Sequence, residues 1–161
     1  MQPCPHCRRK GALILHGFIY GYLLPGGKQK KAHRVFCSNR NRRPGCGRTF
    51  ALRRATVIRK LAVTTEQLWK FIKNICKATP IKHALEIHPS QYSLSSIYRL
   101  HQRFKRRQHV IRTRLIEFAQ PPPVNDSANP IRQTIEHLRT AFNNKPCPIT
   151  AFQHHFQTAI L

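Results

Sequence analysis

Acidic side chains are nearly missing from this chain. Its 161 residues include 5 Asp+Glu against 29 Lys+Arg, for a formal net charge of +24, and Asp126 is the sole aspartate. The scarcity removes most carboxylate chemistry. A transposase of the retroviral-integrase type needs a carboxylate cluster on one sheet to hold its metal ions. Here Glu66, Glu86, Glu117, Asp126 and Glu136 are scattered over helical patterns and a linker. A relaxase needs paired histidines flanking an apolar residue beside a tyrosine, whereas His154 and His155 are adjacent. No histidine-metal core of an HNH nuclease can be assembled either. The expectation is a protein that is not an enzyme.

A long apolar run is missing too. The stretch GALILHGFIYGYLLPGG (residues 11–27) is interrupted by His16, Pro25 and several glycines, and falls short of the ~20 residues a membrane helix needs. The opening MQPCPHCRRK puts cysteine and charge where a signal peptide would start its apolar core. A cytoplasmic protein with no membrane partner is expected. In that reducing setting clustered cysteines favour metal over disulfide.

Positive charge is abundant and uneven. Residues 1–63 hold fifteen Lys/Arg and no acid, residues 64–119 hold eleven against three, and residues 120–161 hold three against two. A compact chain so charged repels itself unless a polyanion neutralises it, and nucleic acid is the first candidate.

Four cysteines frame the most basic region. Cys4-x2-Cys7 is a tight knuckle, and Cys37 and Cys46 form a second pair separated by SNRNRRPG. Two thiolate pairs of this kind close a structural zinc site with no open position. Between them LILHGFIYGYLL and AHRVFC have strand composition, with PGGKQKK between the two and a Pro-Gly-Gly turn joining them, and GRTFALR supplies a third strand. The second pair carries six more residues than an ordinary CxxC knuckle. Arg40, Arg42 and Arg43 would bulge from it toward phosphate, and Gly47 would allow backbone amides to face sulfur. His6 and His33 are weaker substitute ligands. Cys76 reads as a small core residue, and Cys147 has no partner nearby.

A helical pattern follows. Thr64 and Gln67 form a capping box before Leu68, Phe71, Ile72 and Ile75 at helical spacing. Thr79-Pro80 starts a short second helix that ends at His88-Pro89. A third helix is expected from Ser93 or Leu94 to Ala119, apolar at Ile97, Leu100, Phe104, Ile111, Leu115 and Phe118. A short turn before a basic third helix describes a helix-turn-helix. Ser95, Ser96, Tyr98, Arg99 and Gln102 would then face bases in the major groove, and Arg103, Lys105, Arg106 and Arg107 would hold phosphates. PPPVNDSANP is a linker. Beyond it two small helices, apolar at Ile131, Ile135, Leu138, Phe142, Phe152 and Phe156, suit docking or self-association. His154-His155 reads as surface or packing.

The residues CPHC, CGRTF and SSIYRLHQRF resemble the amino-terminal region of bacterial insertion-sequence transposases and their accessory proteins. Those combine a zinc ribbon with a helix-turn-helix. The resemblance covers about Cys4 to Phe104 and implies Cys4, Cys7, Cys37 and Cys46 as ligands of one zinc ion and the helix from Ser93 as the DNA reader. The arginine insertion departs from the pattern.

The expected fold is small α+β: a zinc ribbon over residues 1–60, a helix-turn-helix over 64–119, a linker over 120–130 and a helical tail over 130–161. The expected function is a zinc-stabilised, non-catalytic double-stranded DNA-binding protein, a transposon-associated accessory factor or a transcriptional regulator, with a transposase or a second copy as candidate partners of its C-terminal helices. The alternative is an RNA-binding or ribosome-associated zinc-ribbon protein.

Overall fold

A computed structural model describes residues 2–23, 26–77, 93–123 and 129–161. The chain divides into two compact units, Met1–Arg54 and Ala55–Leu161. The first is a three-stranded antiparallel sheet in the order β1 (Leu13–Leu23), β2 (Gly27–Cys37), β3 (Thr49–Arg53). The second holds α1 (Thr65–Lys77), α2 (Leu94–Ile116), α3 (Pro130–Ala141) and α4 (Pro148–Phe156) among the described residues.

The hairpin is longer than the composition suggested. Lys28 to Lys31 were expected between the strands, but they lie within β2, where Tyr22↔Lys28 and Tyr20↔Lys30 are paired. The reversal is confined to the few residues before Gly27, where Gly26 and Gly27 both take positive φ. Two bulges break the register, between Leu15 and Phe18 and between Ile19 and Tyr20. Gly17 sits in the first at φ +120, a conformation closed to ordinary side chains. The second places the extra residue, Lys31, in β2.

The helical unit begins earlier than the expected boundary near residue 60. Val57, Ile58 and Val63 are buried, and Ile58 and Val63 belong to the core with Leu68, Phe71 and Ile72 of α1. The capping box forms in both directions: Thr64 N–H donates to Gln67 Oε1 at 2.8 Å, and Gln67 N–H to Thr64 Oγ1 at 3.2 Å. Ser93 caps α2 by accepting from Ser96 N–H at 3.3 Å. Asn129 caps α3 by accepting from Ile131 and Arg132, with Pro130 in the first turn, where no amide is lost. The expected second helix, from Thr79 to His88, lies outside the described residues.

The last two helices are not a separate tail. Ile135, Leu138, Phe142, Ile149, Phe152 and Ile160 share one core with α1 and α2. Their apolar faces, expected to dock a partner, are covered from within. Polar bonds fix the arrangement. Gln153 Nε2 donates to the Ala55 and Val57 carbonyls, while its Oε1 accepts from Ile160 N–H. Thr65 and Thr150 hydroxyls meet at 2.7 Å, and His137 Nε2 lies 2.8 Å from the Ala119 carbonyl. The ion pairs Arg114–Glu117 and Arg139–Glu136 are exposed and contribute little.

Truncating this shared core tests its unity. Leu138→Ala should cost about 2–5 kcal/mol and Phe152→Ala about 3–5 kcal/mol. Urea unfolding followed at Trp69 of α1 should report both losses, although neither residue belongs to the helix that carries the probe.

Candidate functional site

The sheet unit gathers its sulfurs at one end. The Sγ atoms of Cys4, Cys7, Cys37 and Cys46 all lie within 4.8 Å of one another, and among the described residues they form the one cluster able to hold a metal ion. Cys4 and Cys46 are 3.9 Å apart and Cys7 and Cys37 3.7 Å. A tetrahedral ion with metal–sulfur bonds of about 2.3 Å needs sulfurs about 3.8 Å apart. The donor set therefore fits a structural ion. All six cysteines are free of disulfides.

Both knuckles are built alike. Arg8 N–H donates to the Cys4 carbonyl at 2.8 Å, and Gly47 N–H to the Cys37 carbonyl at 2.9 Å. His6 N–H points at Cys4 Sγ from 3.4 Å, and Cys46 N–H at Cys37 Sγ from 3.3 Å. Each turn ends in a left-handed residue, Gly47 at φ 72 and Arg8 at φ 57. Arg8 adopts at some cost what glycine adopts freely.

The six extra residues of the second knuckle are set aside by a neck. Gly45 N–H donates to the Ser38 carbonyl at 2.9 Å, so Ser38 and Gly45 take the places of the two intervening residues of a CxxC turn. Only glycine fits there, since an added Cβ would sit 2.1 Å from the Ser38 oxygen. Beyond the neck, Arg43 N–H donates to the Arg40 carbonyl at 3.1 Å around Asn41 and Arg42, both at positive φ. That is a type I′ turn. Arg9 Nη1 donates to the Pro44 carbonyl at 2.6 Å and ties the loop to the first knuckle. Arg40, Arg42 and Arg43 are exposed on this small ordered finger.

The thiols do not share one acidity. Burial pushes Cys4 up, but N–H groups of Cys7 and His6 and the neighbouring thiols outweigh it and bring it down to about 7. Cys37 receives the Cys46 N–H, yet burial and the other three sulfurs drive it up to about 12. Four sulfurs this close can all be thiolates only with a cation between them to offset their mutual repulsion. The histidines are elsewhere: His6 packs edge-on to Phe50, and His33 against Phe18.

On α2 the buried positions are Ile97, Leu100, Phe104, Gln108, Ile111 and Leu115. Ser95, Ser96, Tyr98, Arg99, Gln102, Arg103, Lys105 and Arg106 are all exposed. Ser95, Arg99, Gln102 and Arg106 recur at helical spacing along one stripe. The Ser95 and Ser96 hydroxyls also meet Ser93 Oγ, at 3.1 and 2.9 Å. Arg107 departs from the expected phosphate cluster. It is half-buried and donates to the Ala159 carbonyl at 3.2 Å, so it holds the end of the helical core.

Sequence reasoning missed the open face of the hairpin, where Phe18, Tyr20 and Tyr22 are exposed. The signal was present as aromatics at every second position, but such a pattern reads equally as a strand's buried side.

Metal content tests the centre. The purified chain should carry one divalent ion, and Cys37→Ser should lose it together with the sheet's circular dichroism. The ion should be released as pH falls, because protons compete for the thiolates. Gly45→Ala should weaken the unit by about 1–3 kcal/mol through the crowded neck. No family model matches the chain, and no curated protein or solved structure matches it.

Proposed function

We propose that this protein is a non-catalytic, zinc-stabilised reader of double-stranded DNA, acting as a transposon-associated accessory factor or a transcriptional regulator. In this reading Met1–Arg54 is a zinc ribbon. Four thiolates at tetrahedral spacing are the donor set a closed zinc site uses. α2 is the recognition helix of a helix-turn-helix, and the second helix expected from Thr79 to His88 falls outside the described residues.

The exposed stripe of α2 carries the reading. From residue 87 to residue 116 there is no acid, and Arg99, Gln102, Arg103, Lys105 and Arg106 all face solvent. A merely solvated helix mixes signs on its outer face. Arg99 and Gln102 have the donor and acceptor geometry for guanine and adenine edges, and their neighbours suit phosphates. The arginine finger at Arg40, Arg42 and Arg43 adds phosphate contacts from a rigid turn. That rigidity lowers the ordering cost of binding.

Two substitution sets separate these roles on a selected duplex. Arg99→Ala and Gln102→Ala should each cost about 1–3 kcal/mol on the preferred sequence, with the salt slope nearly unchanged. Arg40→Ala, Arg42→Ala and Arg43→Ala combined should weaken all duplexes alike and lower the salt slope by up to about 3. Equal binding to structured RNA with no duplex preference would overturn the reading.

A further inference from the structure

We infer that the open face of the β1–β2 hairpin is a stacking platform for single-stranded nucleic acid. This goes beyond the duplex reading and uses none of its residues. Phe18, Tyr20 and Tyr22 are 40%, 54% and 68% exposed. They occupy alternate positions of one strand and so project from one face. The rings of Phe18 and Tyr20 are 6.4 Å apart. Large aromatics in a row on the surface mark a contact site more often than a solvated one.

The opposite strand supplies the charge. The bulge at Lys31 re-phases β2, so Tyr20 faces Lys30 and Tyr22 faces Lys28. Lys30 Nζ lies 3.5 Å from the centroid of Phe18, and Lys28 Nζ 5.8 Å from that of Tyr20. Lys31 is turned to the other side, where a Cβ on Gly21 would meet its side chain at 2.9 Å. Without the bulge, Lys31 and Gln29 would stand beside the tyrosines instead.

The combination selects the occupant. An apolar partner protein would use the rings but leave the lysines without counter-charge, and no acid occurs in residues 1–63 to supply it. Bases offer π faces, and phosphates offer negative charge at the same interval. A duplex hides its base faces in its own stack. Alternate strand residues are about 6.6 Å apart, roughly twice the 3.4 Å step between stacked bases. The rings therefore suit a strand opened out of its stack, and each lysine can leave its ring for a phosphate as a base takes its place. Oligothymidylate and oligouridylate share this chemistry.

The test uses the full metal-loaded chain and four labelled probes: a thymidylate 12-mer, a uridylate 12-mer, an abasic 12-mer with the same phosphates, and the preferred duplex. Thymidylate or uridylate should bind at least tenfold tighter than the abasic strand, and whichever binds tighter identifies the natural strand as DNA or RNA. Tyr20→Ala and Tyr22→Ala should each lose about five- to 150-fold on that strand and nothing on the abasic one, while Tyr20→Trp keeps the affinity. Should Tyr20→Ala lose metal or circular dichroism, the more exposed Tyr22→Ala decides. Equal affinity for based and abasic strands would overturn the inference. So would a dimer dissolved by these substitutions with strand binding intact, since a second copy would then own the face. Duplex binding without strand preference sinks this inference alone, and failure of every probe sinks the duplex reading as well.

Discussion

The sheet unit has almost no oil to hold it together. The cluster around its sulfurs consists of Cys4, Ala12 and Cys37, with Cys7, Leu13, Cys46 and Phe50 half-buried around them, so four of the seven members are cysteines, and beyond it only Leu23, Ala32 and Val35 are buried apolar residues among the described residues of the unit. A few apolar groups cannot offset the conformational entropy of some fifty residues, and thirteen Lys/Arg with no acid among residues 1–54 add repulsion. Sulfur at tetrahedral spacing is the feature able to supply the missing cohesion. A structural ion bound by four thiolates contributes on the order of 10 kcal/mol. Geometry around the site serves that arrangement, from the paired N–H···S contacts to the left-handed residues that end each knuckle.

The helical unit meets the opposite condition. Its core draws on all four described helices and on the segment before α1, and several of its buried polar side chains, Thr65, Thr134, His137 and Gln153, act as ties. Gln153 alone joins the backbone at Ala55, Val57 and Ile160. Because the inner side of α2 is fixed by this packing, its outer side is free to carry like charge at little cost to stability. Arg107 marks the limit of that freedom. One residue beyond the exposed Arg106, about 100° further round the helix, a guanidinium stops facing solvent and becomes part of the scaffold.

Much of the backbone was legible from the chain. Capping signals at Thr64/Gln67, Ser93 and Asn129-Pro130 located three helix starts, because each satisfies specific orphan amides. Cysteine spacing found the site, since few other chemistries need that pattern. Strand limits were less readable. Lys28 to Lys31 have loop composition, and the bulges that seat them in β2 depend on glycine and cross-strand register, which are non-local. The burial of α3 and α4 was also hidden: an amphipathic helix shows that it must cover one face, but not with what. Arg107 shows the same ambiguity, since its charge alone resembles that of its exposed neighbours.

The neck between Ser38 and Gly45 separates the knuckle from what it carries. Because the loop leaves and returns at one backbone hydrogen bond, its length and sequence are decoupled from the sulfur cage. Residues beyond that junction can be exchanged as a cassette, with contact chemistry rewritten in six positions while the cage stays as it is. The glycine at the junction is the one member of the exchange that must remain.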